Sequence, residues 1–162
     1  MSAPERVHFS IVQVAAWRGG DAALASRLQT LGWELPTLGR AWFGQRRTAL
    51  CVQPHHWLLL DETQDPDFVA RCREAVADAG AVAELTAARS AWRLREETAR
   101  QNLAAGCRLD LAPSAFAIGQ AAATTIAQVH ATLLASPDGW LLLCSSSVTK
   151  HFEAWLEHVQ AG

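Results

Sequence analysis

The chain has 162 residues, half of them apolar and 19% charged, so it can bury a core and is not compositionally disordered. A formal net charge of -2 offers no counter-charge to nucleic acid or an anionic membrane. No apolar run approaches the roughly 18 residues of a membrane span, residues 1–7 lack a signal-peptide pattern, and Cys51, Cys72, Cys107 and Cys144 are scattered with no Cys-x-x-Cys. A soluble cytoplasmic protein with reduced, buried thiols and no metal site is expected.

In chain order, residues 7–17 alternate and hold Ile11, Val12 and Val14, a strand pattern. Arg18-Gly19-Gly20 reads as a turn. Asp21 is placed to cap a helix with Leu24, Leu28 and Leu31 on one face, closed by Gly32. Residues 33–39 form a loop with Pro36. Residues 40–43 and 48–52 bracket a hairpin turn at 44–47, and residues 57–60 are a short buried strand after a turn at Pro54. Asp65-Pro66 opens a helix that buries Phe68, Val69, Cys72 and Val76 and stops at Gly80. Residues 82–85 and 91–94 are strand-like, 96–105 are helical up to Gly106, and 107–116 form a loop. The Ala-rich residues 121–128 and then 129–135 read as strands. Pro137-Asp138-Gly139 is a turn and 140–144 a strand. One of Ser145, Ser146 or Ser147 caps a last helix burying Val148, Phe152, Trp155 and Val159.

Two stretches repeat. Pro54-His55-His56-Trp57-Leu58-Leu59-Leu60 returns 83 positions later as Pro137-Asp138-Gly139-Trp140-Leu141-Leu142-Leu143. Trp17-Arg18 and Trp92-Arg93, 75 positions apart, each end a strand before a helix in which Leu28 and Leu103 match. The expected fold is therefore α+β: one domain, residues 1–162, of two pseudo-repeated βαβββα-type halves at about 1–80 and 81–162. Seven Trp and no Tyr point either to a partner surface or to two matching cores.

The candidate chemistry is sparse. Gly19-Gly20 lacks the spaced glycines of a dinucleotide fingerprint and the Gly-Lys-Ser/Thr of a phosphate loop, so it reads as a plain turn. His55-His56 would point to opposite faces of a strand, and their twins are Asp138 and Gly139, so they also read as turn residues. His151 and His158 fit a solvated helix face, and His130 has no evident partner. Cys107 follows a helix end, where the dipole disfavours a thiolate. No catalytic residue is expected. Asp110, between Leu109 and Leu111, either grips a ligand amine or satisfies loop N–H groups. Arg89, Arg93 and Arg95 alternate; they either bind an acidic group or line a solvated edge strand.

The run Gly106-Cys107-Arg108-Leu109-Asp110-Leu111-Ala112-Pro113-Ser114-Ala115-Phe116 resembles the Gly-Cys-x-Leu-Asp-Leu-x-Pro-x-x-Phe segment of the sarcosine oxidase gamma subunit family. Residues 53–60 resemble that family's Gly-Pro-Asp-Glu-Trp-Leu-Leu-Leu stretch, with likeness also at 11–14, 82–94 and 136–155. The chain departs from the family at His55-His56 and at Arg95-Glu96, where the family has Asp-Glu and Gly-Pro. It also lacks the Gly-Gly-x-x-Asp-Asp signature of aminomethyltransferases and the Lys-Gly-Cys-Tyr-x-Gly-Gln signature of the related iron–sulfur assembly proteins. The resemblance implies a fold like the folate-binding domain of aminomethyltransferases. It implies a small non-catalytic subunit packed against the alpha subunit of a heterotetrameric flavoenzyme that demethylates sarcosine. FAD, FMN, NAD and tetrahydrofolate would then sit in the partner subunits and none in this chain. The alternative is a stand-alone folate binder or transferase using a groove between the halves, with Asp110 and Arg89 or Arg93 on the ligand.

Overall fold

The structure is a computed structural model that describes residues 3–162, with the backbone alone for residues 96–98. Its elements are β1 (Glu5–Val7), β2 (Ser10–Ala16), α1 (Asp21–Gln29), β3 (Arg40–Gly44), β4 (Arg47–Gln53), β5 (His56–Asp61), α2 (Phe68–Val76) and β6 (Gly80–Glu84). There follow β7 (Arg89–Leu94), α3 (Glu96–Ala104), β8 (Ala121–Ile126), β9 (Val129–Ser136), β10 (Gly139–Ser145), a 3-10 turn (Ser146–Val148) and α4 (Thr149–Ala161).

The strands form two five-stranded antiparallel sheets, ordered β3-β4-β5-β2-β6 and β8-β9-β10-β7-β1. The repeated Trp-Leu-Leu-Leu segments are the middle strands, β5 and β10. A middle strand has a neighbour on each side, so its backbone groups are paired in both directions. In β10 the whole run from Trp140 to Cys144 is buried, with side chains of both parities at 4% exposure or less. Two-sided burial explains why the sequence reads as an unbroken apolar run there and not as an alternation.

The chain divides into two compact units, one of residues 9–86 and one of residues 1–8 with 87–162. The expected boundary near residue 80 is therefore corrected at both ends. Strand β6 lies beyond residue 80 yet pairs with β2 of the first unit. Strand β1 precedes the first unit yet pairs with β7 of the second. Arg6 fixes it there: its guanidinium donates to Ser90 Oγ at 2.8 Å, pairs with Glu153 at 3.1 Å and lies 5.0 Å from the Trp92 ring centroid. Each unit thus has the order βαβββα plus a fifth strand, which follows in the first unit and is supplied by the N-terminus in the second.

In the first unit α1 and α2 cover one sheet face, burying Leu24, Leu28, Phe68, Cys72 and Val76 against Val12, Val14, Trp57 and Leu59. In the second, α3 and α4 bring Ala99, Leu103, Phe152 and Leu156 onto Trp92, Leu94, Leu133, Trp140 and Leu142. The pairing register corrects one expected equivalence. Leu59 faces Val12 and Leu142 faces Trp92, so Trp92 corresponds to Val12 and not to Trp17. Trp17 lies past the end of β2 in an added turn, over half exposed, with its indole N–H on the Asp78 carbonyl. The 75-residue spacing follows the helices, which this longer turn displaces relative to the strands.

Three expected stops and caps also differ. Asp21 is the first helical residue and does not cap. Gly80 does not end α2, which stops at Val76 with Ala77 at φ 45°; it opens β6, where a Cβ would run into the Ala15 carbonyl. Ser145 accepts from the Ser147 N–H at 3.4 Å and so caps the 3-10 turn, while α4 starts after Val148 without a side-chain cap. Asp65 accepts from the Asp67 N–H at 2.9 Å and from Arg71 at 2.6 Å, just ahead of α2.

Two predictions follow from this packing. Gly139 has φ 127° and a Cβ on it would meet the Leu94 carbonyl, whereas Gly19 (φ 73°) has open space around it. Gly139→Ala should cost more than 2 kcal/mol (an order-of-magnitude figure, about twice the Gly19→Ala penalty) in urea unfolding, and equal costs would contradict the packing. Burial pushes the Cys72 thiol from 9.0 up to about 11, with the Asp61 carboxylate adding to the rise and Arg47 opposing it. A raised thiol stabilises the folded state below pH 9, and that contribution is lost as pH climbs through 11. Stability should fall by on the order of 2 kcal/mol over that window. Cys72→Ala should flatten the fall in a pH series of urea midpoints; an unchanged slope would contradict the assignment.

Candidate functional site

Of the two readings open for the tryptophans, a partner surface or two matching cores, the second holds for most of them. Trp33, Trp57, Trp92 and Trp140 are buried, Trp42 and Trp155 are half-buried, and Trp17 is exposed. They form ring clusters: Trp33 with Trp42 and Phe68, and Trp92 with Phe152, which also meets Trp155. The Trp57 indole donates to the Pro36 carbonyl at 2.7 Å, satisfying its one polar atom.

The motif run at 106–116 is a latch. Cys107, Leu111 and Phe116 are buried in the second core, and Phe116 lies 5.4 Å from the Trp140 ring. Asp110 is exposed, and its Oδ1 accepts the Ala112 N–H at 3.0 Å. Arg100 reaches from α3 to the Leu111 carbonyl and stacks at 5.0 Å on Trp140. A Cβ on Gly106 would meet the Trp155 ring, which explains the glycine that opens the run.

The histidines do not converge. His55 sits in the tight turn with φ 63°, a conformation His tolerates better than most residues. Its Nδ1 lies 2.8 Å from the Asp21 carboxylate, while the His56 ring donates to the Pro54 carbonyl at 2.9 Å. His151 donates to the Ala127 carbonyl at 3.1 Å. Asp21 and His55 flank an open groove of about 420 Å³, floored by Leu35, Pro36, Cys51 and Trp57.

The arginine row is not on an edge. Strand β7 lies between β1 and β10. Arg89 and Arg93 share a face and are half-buried, whereas Arg95 lies beyond the strand and is exposed. Arg89 borders a second cleft, of about 440 Å³, which includes neither Arg93 nor Asp110. That cleft gathers His130, Thr125, Thr132 and Ser145 beside Arg89. Sequence reasoning missed this set, because its members lie on four strands spread along the chain and only the pairing register unites them. Among the described residues no group of three or more His, Cys, Asp and Glu is placed to hold a metal ion, and no helix is long and apolar enough to cross a membrane. Burial raises the thiols of Cys51 and Cys144 as it does that of Cys72.

Comparison with known proteins places this scaffold. The model of the family "Sarcosine oxidase, gamma subunit family" matches residues 5–162. A chain of the heterotetrameric sarcosine oxidase from Corynebacterium sp. U-96, solved in complex with pyrrole 2-carboxylate, superposes with a TM-score of 0.86 at 27% identity. The match covers 98% of this chain and 83% of that one. The glycine cleavage system aminomethyltransferase T from Bartonella henselae has a TM-score of 0.69 at 12% identity, covering 95% of this chain and 45% of that one, a likeness of fold alone. No curated protein matches the sequence. The motif run, the two middle strands and a family match spanning nearly the whole chain agree, and the chain belongs to the sarcosine oxidase gamma subunit family.

Proposed function

We propose that the chain is the small, non-catalytic subunit of a heterotetrameric sarcosine-oxidase-type flavoenzyme, packed against the large alpha subunit in the cytoplasm. The observation that carries this reading is the family match over residues 5–162. The 0.86 superposition, covering 83% of a chain from a heterotetrameric sarcosine oxidase, supports it. In this reading the larger subunits hold FAD, FMN, NAD and tetrahydrofolate and carry out the oxidative demethylation of sarcosine to glycine. This chain contributes a rigid surface.

Its own residues are consistent with that division of labour. The family's most specific run is used to tie α3 to its core. All four cysteines are buried free thiols, which suits a structural role better than a nucleophilic one. Six of the seven Trp stiffen two cores, and a stiff surface loses little entropy on docking.

Co-expression of the full chain with the larger subunits of a sarcosine oxidase tests the reading. The chain should co-purify in fixed proportion with the flavin absorbance. Assembly of an active oxidase without it, with the chain eluting alone, would refute the proposal.

A further inference from the structure

The cleft beside Arg89 gathers one Arg, one His and several hydroxyl side chains. Ser145 of β10 faces Arg89 of β7, and Cys144 next to it faces Ala131 of β9. His130 therefore stands beside Ser145, and Thr125 of β8 faces His130. Four polar side chains thus cross four adjacent strands in one row, on one face of the sheet. At about 4.8 Å between strands, the row spans roughly 14 Å. The next row holds Leu143, Thr132 and Ala123, which form the floor. Ala123 leaves room where a larger side chain would fill the cleft.

We propose that this cleft binds a small free carboxylate, held by the Arg89 guanidinium with hydroxyl and imidazole donors of the same row. Arg89 uses one N–H on the Ala88 carbonyl at 3.2 Å, which steadies the group and leaves further donors in its planar fork. Among the described residues no Asp or Glu lines the cleft beside the guanidinium. The backbones of Thr125, Thr132 and His130 are paired in the sheet, while among the described residues their side chains have no hydrogen-bond partner. Ser145 already bonds Ser147 at 2.9 Å, so its hydroxyl is oriented. Leu143 and Ala123 offer apolar contact to the body of the ligand. The guanidinium fork suits carboxylate and phosphate geometry alike, and its one permanent charge balances a carboxylate but only half of a phosphate dianion. The volume of about 440 Å³ lies within the range of small-molecule sites, roughly 300–1,000 Å³.

The test is titration of the full chain with propionate, succinate, inorganic phosphate and chloride at matched ionic strength, followed by backbone amide NMR. The carboxylates should give saturable shifts confined to residues 123–125, 130–132 and 143–145. Arg89→Gln should weaken binding about tenfold or more, and Thr125→Val about threefold. Arg73→Gln, on α2 of the other unit, should bind as the parent does. If Arg89→Gln fails to fold, Thr125→Val and His130→Gln, both at exposed positions, carry the test alone. The proposal is overturned if the carboxylates shift nothing beyond the chloride control or phosphate binds at least as tightly. It is equally overturned if the folded variants in the row keep full affinity. The readout is independent of co-purification, so either proposal can fail without the other.

Discussion

Each unit depends on its middle strand. In an antiparallel five-stranded sheet the third strand has every backbone group tied to a neighbour and presents side chains to both faces. Strands β5 and β10 fill that place with Trp-Leu-Leu-Leu. On the helix-covered face, Trp57 and Leu59, or Trp140 and Leu142, receive the apolar residues of two helices. The turn before each strand sets its register, and the register decides which residues of β2, β4, β7 and β9 face the helices. The rest of each unit is arranged around these contacts: the latch at 106–116 closes over Trp140, and the loop at Pro36 closes over Trp57.

Much of this was legible because local pattern and global place agree. The Pro-x-x-Trp-Leu-Leu-Leu repeat marked both middle strands, and helix stripes such as Leu24 and Leu28 or Phe68, Cys72 and Val76 were read from spacing. Even the Ala-rich β8 pairs along its whole length with β9. What was not legible is non-local. Nothing in residues 5–7 announces that they complete a sheet more than 80 positions away, because Arg6 finds Ser90, Trp92 and Glu153 only in the folded chain. Trp17 and Trp92 matched in spacing for an accidental reason: a longer turn shifts helix register against strand register. Gly80 read as a helix stop because glycine serves equally where a helix ends and where two backbones approach closely.

The candidate sites divide the same way. The run 106–116 identified the family from sequence, yet its residues serve packing: Cys107, Leu111 and Phe116 enter the core and Asp110 bonds its own loop. The seven Trp, which left a partner surface open as one reading, mostly build two aromatic cores. Of the polar residues around the 440 Å³ cleft, only Arg89 had been singled out with a ligand in view, beside Asp110 and Arg93, which lie outside it. Its real neighbours come from residues 123–145, brought together by pairing registers that no short window of sequence encodes.

The central physical claim is that the middle strands hold each unit together, and hydrogen exchange of the backbone amides tests it most directly. Protection in a native protein reports the free energy of the opening that exposes each amide. Amides of residues 57–61 should be the last to exchange in the first unit and those of 140–144 the last in the second, ahead of the edge strands and the helices. If β3, β8 or any helix outlasts its middle strand, the units are held together by something else and the account is wrong.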